Sequence, residues 1–375
     1  MKKKFLIIYL FAILLAVLIV GMYVFKNEYG YKFKLVKPRY ETSKVYSKTV
    51  SNSNLDTIWC GTFQVAWNEL MDYAGGTVEF EETESLLASE LNQRNFTKEM
   101  LSENSYYVKQ GKASGKLKNE IDKDLKEKFN IKDGAKILEG QELDNSNGIL
   151  IYSMLKKNFT FLEKFDDLKP GIFTGKDGNS EKVKIFGIDE DSEAKLCDNV
   201  EVLYWDPKNV DNTGVISNEC AVKLKTKENE EVILYRTDKE DNFENLYNEL
   251  LNLSSSFEGN KKFSNYYDEL KIPCIDIDVN ISYDELCNKI IKNTNSEYIS
   301  KAIQNIKFNL NSEGGLIFSE AAIITDSMSA PSTNARLFYF TKPFVIFVKE
   351  ENKEKPYFAM KINNSEYLQL ESENK

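Results

Sequence analysis

The sharpest pattern along the chain lies near its carboxyl end, where residues 340–364, "FTKPFVIFVKEENKEKPYFAMKINN", form two apolar runs joined by a charged turn. The first run shows no alternation, so both of its faces should be covered, which places the hairpin in the middle of a packed sheet. Upstream, Ile306, Phe308 and Leu310 alternate with polar residues as a half-buried strand does. Between these two features residues 311–331, "NSEGGLIFSEAAIITDSMSAP", open on paired glycines, carry strand-competent apolar residues and close on small residues and a proline. An ordinary surface loop is polar; this one carries enough apolar residues to be a strand itself.

Helical spacing dominates residues 56–129. "FQVAWNELM" places Phe63, Ala66, Trp67 and Leu70 on one face, and "KLKNEIDKDLKEKF" repeats Leu117, Ile121, Leu125 and Phe129. From residue 147 to 349 the signals are mostly strands, among them "GILIY", "EKVKIFGI", "VEVLYW", "CAVKLKT", "EEVILYRT" and "CIDIDV", bounded by turn chemistry such as Asp177-Gly178. Helices are expected to return at residues 242–253 and 283–292. A helical layer followed by runs of strand predicts an α+β domain dominated by antiparallel sheet.

The amino terminus reads differently. Lys2, Lys3 and Lys4 precede an uncharged apolar run over residues 5–25. At ~1.5 Å per residue such a run covers a hydrocarbon core of ~30 Å, so it predicts one transmembrane helix. Its length and the lack of a small-x-small site favour an uncleaved signal-anchor over a cleaved signal peptide. The lysines keep residues 1–4 cytoplasmic and place everything after Lys26 outside, in a single-pass cell-membrane protein that is secreted if the segment is cleaved. Residues 26–54 are polar and suit a stalk, leaving residues 55–375 as the folded domain.

Composition removes several chemistries. The net charge is −10 over 375 residues, which argues against a nucleic-acid partner. The chain has no histidine, excluding Ser-His-Asp and Cys-His sites, histidine-bearing zinc sites and a histidine pH switch. Cys60, Cys197, Cys220, Cys274 and Cys287 are widely spaced with no C-x-x-C pair, so most are expected to be buried small hydrophobes and no metal site is expected. "GKASGKLK" has too few residues between its glycines for a phosphate-binding loop and Leu117 where Ser or Thr should stand. "DNSNG" reads as a turn before a strand, and the acidic run around Asp189 as a solvated loop. Neither a cofactor nor an enzymatic activity is expected.

The loop and its setting resemble the serpins. In that family a strand shaped like "IQNIKFNLNSEG" leads through a glycine hinge into a long exposed reactive loop, and the chain returns through a phenylalanine and a "KPF", here Phe340, Lys342, Pro343 and Phe344, into two buried strands such as "PYFAMKINN". "NGILIYSMLKKNFTFLEKFDD", "GIFTGKDGNSEKVKIFGI", "VEVLYW", "CAVKLKTKENEEVILYR" and "KIPCIDIDVNISYDELCNKI" resemble earlier parts of the same fold. The resemblance covers residues 147–370 and is weakest in the amino-terminal third. It implies a serpin-like α+β domain with large, mostly antiparallel sheets, a helical layer and an exposed reactive-type loop.

By resemblance, Glu313, Gly314 and Gly315 form the hinge and the scissile bond joins Met328 to Ser329. The implied function is suicide inhibition of extracellular serine or cysteine endopeptidases by a monomeric, membrane-anchored protein: the cleaved loop enters the main sheet as a new strand. Strand alternation then turns Gly315, Ile317, Ser319, Ala321 and Ile323 inward. A shift of one residue would instead bury Glu320 at a cost of several kcal/mol. "LIFSE", bulkier than the small residues inhibitory serpins carry after the hinge, supports the alternative of a non-inhibitory, extracytoplasmic binding or structural protein.

Overall fold

Strand-forming apolar runs in this chain are collected into three large sheets, seen in a computed structural model that describes residues 40–42, 44–46, 54–132, 134–135, 138–140, 143, 147–210, 216–315 and 336–371. The chain divides at residue 39, and the unit beginning at Tyr40 is the one described here. No helix among the described residues is long and apolar enough to cross a membrane; the expected anchor at residues 5–25 lies outside them.

The largest sheet has seven strands in the order β1 (Tyr40–Thr42), β2 (Asp56–Cys60), β17 (Phe358–Ile362), β16 (Phe344–Glu350), β10 (Glu230–Arg236), β9 (Cys220–Lys225) and β8 (Val200–Trp205). All its pairings are antiparallel except β1 with β2. β16 and β17 form the expected hairpin, and every residue of β17 is buried. They sit in mid-sheet because a strand apolar on both faces is stable only where both are covered.

A four-stranded sheet runs β15 (Arg336–Tyr339), β11 (Asp268–Pro273), β7 (Ser180–Ile188), β6 (Asp166–Thr174). Another runs β12 (Ile275–Ser282), β13 (Tyr298–Leu310), β4 (Gly148–Leu155), β3 (Tyr106–Lys112). The pair β14 (Gly314–Gly315) and β5 (Phe159–Thr160) lies beside it.

Helix α1 (Thr62–Ala74) buries Phe63, Ala66, Trp67 and Leu70 as its spacing predicts, and also Gln64, Val65, Asn68 and Met71, because it packs against β3 and β4 in the main core. Helix α2 (Leu86–Leu91) is capped by the Ser85 side chain. Helix α3 (Gly115–Phe129) starts on Ser114, whose hydroxyl accepts from the Leu117 amide, and ends at Asn130 in the left-handed region. Its stripe of Leu117, Ile121, Leu125 and Phe129 makes a second core with Tyr107, Leu150, Tyr152, Met154 and Ile303. Helix α4 (Phe243–Ser256) starts on Asn242 as expected.

Two expectations fail. Residues 56–129 are not all helical, since β2 and β3 lie within them; "DTIWC" is buried throughout, and over five residues periodicity cannot tell such a strand from a buried helix. Residues 283–292 carry only the 3₁₀ turn Asp284–Leu286. There Asn288 adopts φ 59°, and isolated bridges join Ile290 to Tyr298 and Ile291 to Phe80, so the segment lies as an extended strap.

Candidate functional site

The strands β4 and β13 are parallel neighbours, paired from Gly148 opposite Tyr298 to Leu155 opposite Ile306 with a one-residue bulge between Ile299 and Lys301, within a sheet whose other pairings are antiparallel. A strand running against both could lie between them and turn one parallel contact into two antiparallel ones, the slightly more stable ladder.

The chain is already turned for that path. After Leu310 a tight turn forms, with the Asn311 amide donating to the Gly314 carbonyl at 2.9 Å and the Glu313 amide to the Asn311 side chain at 2.9 Å. Gly314 and Gly315 then run antiparallel to β5, opposite Thr160 and Phe159, while an isolated antiparallel bridge joins Gly314 to Asn311, the residue that follows β13. So β14 lies between the continuations of β13 and β4, at the head of their seam.

Both glycines are demanded by Phe159. Gly314 has φ 143°, and a Cβ there would meet the Phe159 carbonyl oxygen at 2.1 Å. A Cβ on Gly315 would enter the Phe159 ring at 2.3 Å, and that ring is only 1% exposed. β5 is held from its other side, where the Lys227 amide donates to the Thr160 carbonyl at 2.8 Å and Glu228 accepts from the Thr160 amide at 2.7 Å and hydroxyl at 3.1 Å. The amides of Phe161 and Phe165 donate to the carbonyls of Glu313 and Ser312 at 3.0 and 2.9 Å, and Lys164 lies 3.5 Å from the Glu313 carboxylate.

Behind the seam lies a buried polar cluster. Gln304 of β13 is opposite Ser153 of β4; its amide donates to Thr62 Oγ1 at 2.8 Å and the Cys60 carbonyl at 3.1 Å, and its carbonyl accepts from the Tyr283 hydroxyl at 2.8 Å. Burial pushes the Tyr283 phenol well above its ordinary value, keeping it a donor, and its ring stacks on Phe63 at 3.4 Å. Between β4 and β5, Lys157 bridges Glu230 and, at 2.8 Å, Glu350, tying this connection to the seven-stranded sheet. Burial pushes Glu230 up, whereas for Glu350 the bonds from Lys157 and Ser102 outweigh burial and pull it down.

The guanidinium of Arg336 is paired with Asp268 at 2.8 and 2.7 Å. Phe340 is fully buried, packs on Phe344 at 5.4 Å and donates its amide to the Lys271 carbonyl at 2.9 Å; Lys342 is exposed and Pro343 half-buried. The structure therefore brings Glu313, Gly314 and Gly315 to the head of the seam and Phe340 and Phe344 into the core. Ile317, Ser319, Ala321, Ile323, Met328 and Ser329 lie outside the described residues.

Sequence reasoning missed Gln304, Thr62, Tyr283 and the Arg336 pair. Gln304 leaves a legible signal: it occupies the buried phase of an alternating strand, between Ala302 and Ile306. All five cysteines are free, and burial pushes Cys60 up to about 11 and Cys220 and Cys274 up to about 12, leaving thiols poor in nucleophilic character. Among the described residues no group of three acidic or thiol side chains is placed to hold a metal ion.

No family model matches the chain, and no curated protein matches it in sequence. Solved structures do match. Human glycosylated kallistatin superposes on 84% of this chain and 92% of its own, with a TM-score of 0.52 at 13% identity. Human thyroxine-binding globulin, solved with thyroxine, does so over 84% and 93%, at 0.50 and 10%. Serpin48 of the insect Tenebrio molitor covers 86% of this chain and 95% of its own at 12% identity, with a TM-score of 0.49. The first two likenesses establish the architecture: this chain has the serpin fold.

Proposed function

We propose that the protein is a suicide-type inhibitor of extracellular serine or cysteine endopeptidases. A protease cuts the loop near the bond between Met328 and Ser329, and the freed strand enters between β4 and β13. The observation that carries this reading is the parallel β4–β13 seam with β14 lodged at its head. Inserting about ten residues would add about ten main-chain hydrogen bonds at ~1 kcal/mol each, a reservoir large enough to distort a tethered acyl-enzyme. Met328 suits an elastase- or chymotrypsin-like pocket. The reading includes a monomeric domain, residues 55–375, held outside the membrane by the apolar run at residues 5–25. It is a trap, not an enzyme.

The test is to nick the loop and record a melting curve, and to mix the intact protein with elastase and with papain. A large upward shift in Tm together with a denaturant-resistant covalent complex supports the proposal. Cleaved product alone, with no shift and no complex, sinks it.

A second reading is favoured by "LIFSE" directly after Gly315, where bulky side chains must follow a glycine already closed in by Phe159. In that reading the protein is a non-inhibitory extracytoplasmic binding or structural module; a fold neighbour, thyroxine-binding globulin, was solved holding thyroxine. It predicts no gain in Tm on nicking.

A further inference from the structure

The connection between β4 and β5 sends one amine into a nearly closed site. Glu230, the first residue of β10, and Glu350, the last of β16, stand directly opposite each other in the ladder. Like charges in that position repel, and here the Lys157 ammonium is placed between them. The Lys157 side chain is 14% exposed and that of Glu230 only 3%; Nζ reaches Glu230 Oε1 and lies 2.8 Å from Glu350 Oε1. A buried ion pair gives a fold little net stability, because both charges are stripped of water, so stability alone is a weak reason for this cluster.

The two carboxyl groups are kept in different states. Burial pushes Glu230 up, toward the neutral acid, and its second oxygen, Oε2, accepts from the Tyr357 hydroxyl at 2.9 Å. At Glu350 burial is outweighed by the bonds from Lys157 and from Ser102, whose amide and hydroxyl donate at 2.8 and 2.7 Å, so this group stays a carboxylate and cannot turn away. Tyr357 is itself buried, and its ring centre lies 5.4 Å from the Lys157 Nζ. A nucleophile, a polarised acid and a fixed base therefore meet in one place.

We propose that Lys157 and Glu230 are a self-modification site, at which Nζ and Cδ join in an intramolecular amide with loss of one water. Glu350 takes one proton from the ammonium. The freed lone pair forms the C–N bond to Glu230 Cδ, while the Tyr357 hydroxyl stabilises the charge that develops on Oε2. The bond from Cδ to Oε1 then breaks, and Oε1 leaves as water with its own hydrogen and one from the nitrogen. The amide keeps the remaining hydrogen and Glu350 keeps the first proton, so no oxidant or co-reactant is needed. Groups held in contact react at effective concentrations on the order of 10⁵ M or more, and the closed site excludes the water that would reverse the step. The product ties the β4–β5 connection covalently to a strand 73 residues away. The proposal is independent of the loop and of its insertion.

The test is a tryptic map of the full, folded chain. The expected species joins residues 157–164 to residues 228–236, uncut after Lys157 and lighter by one water than the two peptides summed, with fragmentation placing the branch at Glu230. Glu350→Gln keeps the shape and removes the base, so its linked fraction should be about a hundredfold lower after the same time. Lys157→Arg should give no linked species. Wild type that is cut after Lys157 and yields the two peptides separately overturns the proposal, whatever the variants do. Equal linkage in wild type and Glu350→Gln overturns the mechanism, because the carboxylate would then not be the base.

Discussion

The guanidinium of Arg336 forks onto the carboxylate of Asp268, with Nε 2.8 Å from Oδ1 and Nη2 2.7 Å from Oδ2, and the acid is only 1% exposed. This pair fastens a four-residue edge strand, β15, to β11 in parallel register. Removing one partner strands a buried charge, so Arg336→Ala is expected to cost about 3 kcal/mol in urea unfolding. Arg336→Lys keeps the charge but loses the planar fork and should recover less than half of that. Equal stability of wild type and the Ala variant would show that β15 is held by its backbone alone.

Gly315 faces the Phe159 ring at a distance that admits no Cβ. Gly315→Val should therefore push β14 off β5, at a cost of about 1–3 kcal/mol for overpacking. The local sign is faster hydrogen exchange at the amides of Phe161 and Phe165, whose acceptors are the carbonyls of Glu313 and Ser312. Adding Phe159→Ala to make room should restore their protection. If exchange at these two amides is unchanged in the Val variant, the pairing of β14 with β5 is not what holds Ser312 and Glu313 in place.

What could be read in advance follows from how local each signal is. The β16–β17 hairpin and the stripe of α3 were legible because continuous apolar runs and i, i+4 spacing report on the element that carries them. The glycine pair stands out in the sequence, but the contact that requires it, Phe159, lies far upstream and becomes a neighbour only through the β5–β14 pairing. Arg336 and Asp268 are 68 residues apart, and nothing local marks either as a partner of the other. β2 was hidden because a short strand buried on both faces shows no period that separates it from helix, and the strap after Tyr283 because its asparagines leave the helical region only in the folded context.

Gln304 holds three groups at the back of the β4–β13 seam: Thr62 Oγ1, the Cys60 carbonyl and the Tyr283 hydroxyl. Gln304→Leu would fill the space yet strand these partners in a site where Gln304 itself is 1% exposed. A loss of about 2–4 kcal/mol is expected by thermal or urea unfolding. The paired change Gln304→Leu/Tyr283→Phe removes one stranded hydroxyl and should be less destabilising than the single variants summed. Simple additivity would mean that the two side chains do not share a bond that matters.

Asp56 is fully buried at the start of β2, where its Oδ1 accepts from the amides of Asn363 at 2.7 Å and Asn364 at 2.9 Å, joining β2 to the exit of β17. Burial outweighs those two bonds and pushes the acid up from 3.8 to about 7, with the Glu366 carboxylate adding to the rise. Because the folded chain holds this proton more tightly than the unfolded one, the contribution of Asp56 is most favourable below about 4, declines as pH rises and is fully lost above about 7. Asp56→Asn cannot titrate. The unfolding free energy of wild type relative to Asp56→Asn should therefore fall steadily between pH 4 and pH 7 and level off beyond. A difference that stays flat across this window, or that grows in favour of wild type with rising pH, would show that the two amide donors, not burial, govern the charge of this acid.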